Sequence, residues 1–274
     1  CRWRKSQKPL GRPVLISTDL IGVEQRRQLG TTDLYLSPIG LGTVKFGRTT
    51  GLAYPNQFEL PNESALNKLL DLAASLGINL LDTAPAYGTS EERLGTLLSS
   101  RKDQFIVSTK VGEYHINGKS HYDFSAKSTR ASIENSLKAL RRSELDLVMV
   151  HSNGADADII TQSDVLQTLQ QYKEKGLIRY IGFSGKNVAG SLLAIDQVDA
   201  FMVTLNRQDS SQLELLKIAK DKHKGILIKK AFASGHAANN DALNYVVNYP
   251  GVTSAIVGTI NPDHLRSNVS ALTL

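Results

Sequence analysis

From about residue 37 the chain alternates between two patterns. Short, continuous apolar runs, many of them β-branched, are followed by longer segments with apolar residues at helical spacing. The runs predict strands at 39–43, 79–82, 105–110, 145–151, 180–184, 200–205, 226–231 and 255–257. Between and after them the spacing predicts helices at 64–75, 91–99, 128–140, 163–175, 188–195, 211–222, 241–248 and 262–270. Runs such as Val148-Met149-Val150 fit strands buried on both faces. Helix ends are marked at Lys224-Gly225 and at Asn248-Tyr249-Pro250-Gly251, because Gly and Pro do not continue a helix.

Eight strand–helix units with no break in composition predict an α/β fold, a single (β/α)8 TIM barrel. A doubly wound sheet is the structural rival, but it usually carries a glycine-rich phosphate turn after its first strand. Here the first strand runs into Gly40-Leu41-Gly42-Thr43-Val44-Lys45-Phe46-Gly47, which is not that fingerprint, and a long loop over about 45–63 follows. Before the first strand, Gln28 to Leu36 reads as a hairpin around Gly30-Thr31-Thr32-Asp33 and is expected to plug the N-terminal end of the barrel. The barrel domain is expected over 27–274, after a basic leader, 1–26, expected to be disordered.

Charge sharpens that division. The net charge is +6, but residues 1–28 hold seven Lys/Arg and two Asp/Glu, whereas the remainder holds 25 and 24. The domain is thus nearly neutral and the excess sits in the leader. A solvated tail, a weak polyanion-binding arm and a transit-peptide remnant all fit Arg2, Arg4, Lys5, Lys8 and Arg12. No nucleic-acid partner is expected for the domain. Cysteine occurs once, at Cys1, which excludes an internal disulfide and points to a reducing compartment, the cytoplasm. No apolar run approaches the ~18–20 residues of a membrane span. A monomer or weak oligomer is expected.

Barrel active sites lie at the C-terminal ends of the strands. Asp82, Lys110 and His151 end three of the predicted strands, and Tyr87 follows Asp82 by five residues. A free tyrosine has a pKa of about 10 and exchanges protons poorly at neutral pH. An ammonium about 4 Å away, at an effective dielectric of ~20, favours the phenolate by roughly 4 kcal/mol, or about three units. Lys110 is therefore expected to bring Tyr87 near 7, with Asp82 as the counter-ion of the lysine. His151 is expected to donate to a carbonyl oxygen or to help move the proton. Alone, each residue also fits a bland role: turn capping, packing, a solvated lysine, a satisfied core histidine. Together, at corresponding strand ends, they read as an acid/base set for an oxygen that becomes an alkoxide.

The constellation resembles the aldo-keto reductase superfamily. The resemblance rests on Asp82-Thr83-Ala84-Pro85-Ala86-Tyr87-Gly88 with Glu91 and Leu94-Gly95, then Ser108-Thr109-Lys110, then His151. Gly182-Phe183-Ser184 and Gly258-Thr259 before Asn261-Pro262-Asp263-His264-Leu265 extend it. It covers about 27–272 in order. It implies a (β/α)8 barrel that reduces aldehydes or ketones with NAD(P)H, or oxidises the corresponding alcohols or sugars. Tyr87 would be the general acid, supported by the Lys110–Asp82 pair, with His151 orienting the carbonyl and no metal needed. A cofactor-binding regulatory or partner protein on the same fold, with little turnover, is the alternative.

Cofactor contacts are expected from Thr43, Ser184, Gly185, Lys229, Lys230, Ser234, Gly258, Thr259 and Asn268. The seventh strand ends in Lys229-Lys230-Ala231-Phe232-Ala233-Ser234-Gly235, whose charge and small residues suit phosphate. The helix that starts at Pro262 offers an N-terminus as a further anion site. Several positions depart from the family pattern: Gly185 stands for an asparagine, Met202 for a glutamine, Lys229 for a stacking tyrosine, and Gly258 and His264 for two basic phosphate ligands. Thr259 and Asn268 match the family, and Arg266 is available to the phosphate. NADP(H) is favoured over NAD(H). Substrate walls are expected from Phe46, Tyr54 and Phe58 in the first loop, and from Tyr114, His115, His121, Tyr122 and Phe124 in the third. The expected substrate is a small carbonyl compound or sugar.

Overall fold

The computed structural model describes residues 20–52, 57–233 and 240–274. An N-terminal hairpin of β1 (Arg27–Gln28) and β2 (Tyr35–Leu36) precedes the barrel. The barrel strands are β3 (Ile39–Gly42), β4 (Leu80–Asp82), β5 (Ile106–Val111), β8 (Leu145–His151), β9 (Ile178–Ser184), β10 (Ala200–Thr204), β11 (Gly225–Lys229) and β12 (Ser254–Val257). They close in the order β3-β4-β5-β8-β9-β10-β11-β12, every pair parallel, with β12 against β3. This is the predicted (β/α)8 barrel, with each predicted strand within two residues of its observed ends.

A second antiparallel pair, β6 (Glu113–Ile116) and β7 (Lys119–Tyr122), follows β5 at the C-terminal mouth. From its residues alone this stretch is expected to be a loop. Its turn, Asn117-Gly118, has positive φ at both residues, 51° and 79°, as a tight two-residue hairpin turn requires.

The helices are α1 (Val44–Gly47), α2 (Glu63–Ser75), α3 (Ser90–Leu97), α4 (Ala126–Ala139), α5 (Asp156–Gln162), α6 (Val165–Glu174), α7 (Val188–Leu192), α8 (Leu213–Asp221), α9 (Asn240–Val247) and α10 (Pro262–Ser270). Two of them, α1 and α5, were not predicted. The helix expected over 163–175 starts later, because Ser163 is extended (φ −124°, ψ 162°) and separates α5 from α6.

The hairpin plugs the barrel floor. Leu29, Leu34 and Leu36 are buried in one cluster with Leu80, Leu147, Met149, Ala200, Met202 and Leu227 from inside the barrel. Burying a leucine contributes about 1.5–3 kcal/mol, so three of them fix the plug without help from its two-residue strands. Its turn is stapled from outside: Asp33 Oδ1 accepts from Arg179 Nη2 at 2.7 Å and from the Tyr180 hydroxyl at 2.9 Å. A larger shell lies between strands and helices, including Leu66, Leu69 and Leu70 of α2 and Phe183, Phe201 and Ile228 of the barrel.

Residues 1–19 lie outside the described residues. Packing begins before residue 27. Ile21 is 5% exposed, belongs to the outer core and donates its N–H to Leu76 O at 3.1 Å, and Val23–Gln25 forms a 3-10 turn. The expected disordered leader therefore does not extend to residue 26. No helix among the described residues is long and apolar enough to cross a membrane.

Candidate active site

A cavity of about 240 Å3 opens at the C-terminal ends of the barrel strands. Asp82, Tyr87, Lys110 and His151 line it together with Gly42, Thr43, Val44, Ser184, Met202, Lys229, Lys230, Ile256 and Gly258. The regularity of the barrel explains the convergence. Asp82, His151, Ser184 and Lys229 are the last residues of β4, β8, β9 and β11, and Lys110 is the last but one of β5. Strand register sets Asp82 beside Ser108, and His151 beside Ser184.

Lys110 is 1% exposed and its Nζ is fully engaged. It donates to Asp82 Oδ1 and Oδ2 at 2.8 Å each, and to Thr83 O at 2.8 Å. The same Nζ stands 4.7 Å from the centre of the Tyr87 ring. Burial works against the ammonium, but Asp82 and Tyr87 together hold its pKa above the ordinary lysine value. Beneath it, buried Glu91 accepts from Thr109 Oγ1 at 2.5 Å and Ser136 Oγ at 3.2 Å; burial raises its pKa.

Tyr87 ends a 3-10 turn, Pro85–Tyr87, opened by Ala84 in an extended conformation. The next residue, Gly88, has φ +63°, and a Cβ there would lie 2.1 Å from Gly47 O. Only glycine fits this crossing of the tyrosine loop over α1. Arg48, just after α1, donates to Ala86 O at 3.1 Å and clamps the same loop.

Burial pushes the Tyr87 phenol up to about 12; Lys110 pulls it down and Asp82 pushes it back up. The expectation that Lys110 brings it near 7 is thereby corrected. The sequence shows the lysine, but not the desolvation of the ring or the two hydrogen bonds that Lys110 donates to Asp82, whose charge offsets that of the lysine. At that value the Tyr87 phenol keeps its proton throughout the neutral range.

His151 stacks edge-on to Tyr87, with ring centres 6.4 Å apart. Its Nδ1 lies 2.8 Å from Oε2 of Glu113. Burial lowers its pKa, the contact with Glu113 raises it, and Lys110 and Lys229 lower it. Glu113 is a site residue that the sequence reading missed. Its signal was the Asn117-Gly118 turn, which returns β7 along β6 and places Glu113 at the mouth.

On the far side, Lys229 donates to Ser184 Oγ at 3.0 Å and to Gly185 O at 2.7 Å. Among the described residues it forms no ion pair. Burial brings its pKa down to about 7, with Lys230 adding to the effect and Asp156 opposing it. Lys230 stands exposed at the rim in a left-handed conformation, φ 58°. This donor set fits the anionic and carboxamide groups of a nicotinamide dinucleotide, because a half-buried ammonium held only by neutral oxygens lacks a counter-charge.

Other expected cofactor residues are placed differently. Thr43 lines the cavity, but its hydroxyl bonds to Asp82 O at 3.0 Å and Ser90 Oγ at 2.8 Å. Gly258 lines the cavity; Gly185, Thr259 and Asn268 do not. The free N-terminus expected for α10 is already capped: Asn261 Oδ1 accepts from Asp263 N at 2.8 Å and His264 N at 3.4 Å, and Thr259 Oγ1 accepts from Asn261 N at 3.1 Å. Ser234 lies outside the described residues. Among the described residues, none of the expected aromatic walls lines the cavity. Phe46 is fully buried in the core, Tyr114 donates to or accepts from Ser128 Oγ at 2.7 Å, and Tyr54 lies outside the described residues.

A parallel eight-stranded barrel with an Asp–Tyr–Lys–His cluster at its mouth defines a class, and comparison gives it a name. Residues 38–241 match the model of the aldo/keto reductase family, and the chain belongs to that family. It is similar to an uncharacterized oxidoreductase of Bacillus subtilis, YqkF, at 25% identity over 90% of each chain. L-galactose dehydrogenase of Arabidopsis thaliana is 27% identical over 90% of this chain and 88% of its own. Among solved structures, a Pseudomonas aeruginosa protein with a provisional aldo-keto reductase assignment superposes with a TM-score of 0.85. It is 47% identical over 92% of this chain and 96% of its own.

Proposed function

We propose that the protein is an NAD(P)H-dependent oxidoreductase that reduces aldehydes or ketones, or oxidises the corresponding alcohols or sugars, with Tyr87 as the proton donor. The observation that carries this reading is the Lys110 ammonium, buried between the Asp82 carboxylate and the Tyr87 ring inside the cavity. The bound nicotinamide would supply or take the hydride. Tyr87 holds the proton that a reduced oxygen needs, and Lys110 stabilises the phenolate left behind. Lys229 and Ser184 would hold the nicotinamide end, and Lys230 the phosphates, with NADP(H) favoured over NAD(H). The similarity to L-galactose dehydrogenase supports sugars as one substrate class.

The test is fluorescence titration with NADPH and NADH, followed by turnover of an aromatic aldehyde and of aldoses. Saturable binding of one cofactor with turnover is expected. Failure to bind either would refute the reading.

A further inference from the structure

Three lysines line the cavity, Lys110, Lys229 and Lys230, and among the described residues that line it Asp82 is the one carboxylate. That carboxylate is taken: both its oxygens accept from Lys110 Nζ at 2.8 Å. Lys229, the last residue of β11, has no such partner. Its Nζ donates to Ser184 Oγ at 3.0 Å and to Gly185 O at 2.7 Å, both neutral, and it forms no ion pair among the described residues.

Charged groups act on Lys229 from the elements around it. Asp156 of α5 favours its charge, whereas Lys230 after β11, Lys186 after β9 and Lys110 of β5 oppose it. Asp156 is fully buried and already engaged. It accepts from the hydroxyls of Ser152 and Ser191, and from the N–H groups of Lys186 at 2.7 Å and Asn187 at 2.8 Å. His151 of β8 also feels Lys229, and burial disfavours its charged form. The Lys110 side of the cavity is thus neutralised, and the unbalanced positive charge lies on the Lys229 side.

We propose that Lys229 makes the site distinguish the two oxidation states of the cofactor: its unbalanced ammonium opposes the cationic ring of NAD(P)+ and retains the neutral ring of NAD(P)H. The inference rests on the oxidoreductase reading above. Hydride has to pass beside the oxygen that Tyr87 protonates, so the nicotinamide ring has to enter this cavity. Phosphates and carboxamide are common to both forms, so the ring charge is the difference that Lys229 can sense. Like charges in a half-buried pocket separate the two affinities by about tenfold. By linkage, the bound cofactor accepts hydride more readily than the free one. The ammonium, with a pKa of about 7, loses its charge above neutrality, and the distinction fades with it.

The test is calorimetric titration of the full chain with NADPH and NADP+, and with NADH and NAD+, at pH 6 and pH 8.5. The quantity read is the ratio of dissociation constants, oxidised over reduced; titration of the 2′-phosphate is common to both forms and cancels. In the native protein the ratio should be about tenfold higher at pH 6 than at pH 8.5. Lys229→Met should hold it at the pH 8.5 value throughout. Lys229→Arg, which keeps the charge, should hold it at the pH 6 value throughout. Lys230→Met should weaken both forms alike and leave the ratio unmoved. All three variants are compared with native circular dichroism in hand. A ratio independent of pH in the native protein, unmoved in Lys229→Met, or moved as far by Lys230→Met would overturn the inference and leave the oxidoreductase reading standing. Failure to bind any of the four nucleotides would refute that reading, and the inference with it.

Discussion

The Lys110 ammonium sits 2.8 Å from each carboxylate oxygen of Asp82, and both side chains are almost fully buried. Neither charge has an alternative partner of opposite sign within the pair's own contacts; the third acceptor, Thr83 O, is neutral. Removing one member strands the other. Asp82→Asn should destabilise the fold by about 3–5 kcal/mol, whereas the double variant Asp82→Asn/Lys110→Met should cost less than the sum of its singles. Urea unfolding of the three variants checks this.

Tyr87 makes stability depend on pH on the alkaline side. Its folded value is raised to about 12, so above pH 10 the unfolded chain gives up a proton that the folded chain keeps. Stability should therefore fall as pH rises from about 10 to 12, by up to roughly 3 kcal/mol from this residue. Tyr87→Phe should lose that component. The check is the difference between the two proteins' unfolding free energies at pH 9 and pH 11.

Glu113 acts on the acid side. Burial opposes its ionisation, but His151, Ser120 and Arg48 bring its pKa down to about 2. A depressed carboxylate stabilises the fold above its unfolded value, and that contribution is lost as pH falls from about 4.5 to 2. Glu113→Gln should be less stable than the native protein at pH 6, and the two should converge near pH 2. Thermal melts across that range read the convergence.

Lys229 should make cofactor affinity depend on pH near neutrality. Its pKa of about 7 means that the charge is present below pH 7 and lost above it. NADPH should bind about tenfold more weakly at pH 8.5 than at pH 6. Lys229→Met should flatten the dependence and weaken binding at pH 6. Fluorescence titrations at the two pH values check this, and equal slopes for both proteins would remove Lys229 from the cofactor site.

Sequence and structure agree most where periodicity dominates. The apolar run that ends in Val148-Met149-Val150 places His151 at a strand end, and the strand 145–151 is predicted residue for residue. The plug is legible for the same reason: Leu29, Leu34 and Leu36 bracket a glycine turn and have an obvious core to fill. What escapes depends on depth and on distant neighbours. Lys110 and Tyr87 are visible in sequence, but the burial that outweighs their attraction is a property of the closed barrel. Asn261 caps α10 with its own side chain, so an apparent anion site is already filled. Glu113 was missed although Asn117-Gly118 announces its hairpin, because alternation in Glu113–Ile116 is weak and charged residues dilute it.

The central claim, that Tyr87 is the proton donor of a carbonyl–alcohol oxidoreductase, is tested most directly by Tyr87→Phe. NADPH binding and aldehyde turnover should be measured side by side on the native and substituted proteins. Substitution should leave the NADPH dissociation constant within about threefold and lower kcat by about 10²–10⁴-fold, the contribution of a positioned acid. Unchanged kcat in Tyr87→Phe would contradict the account.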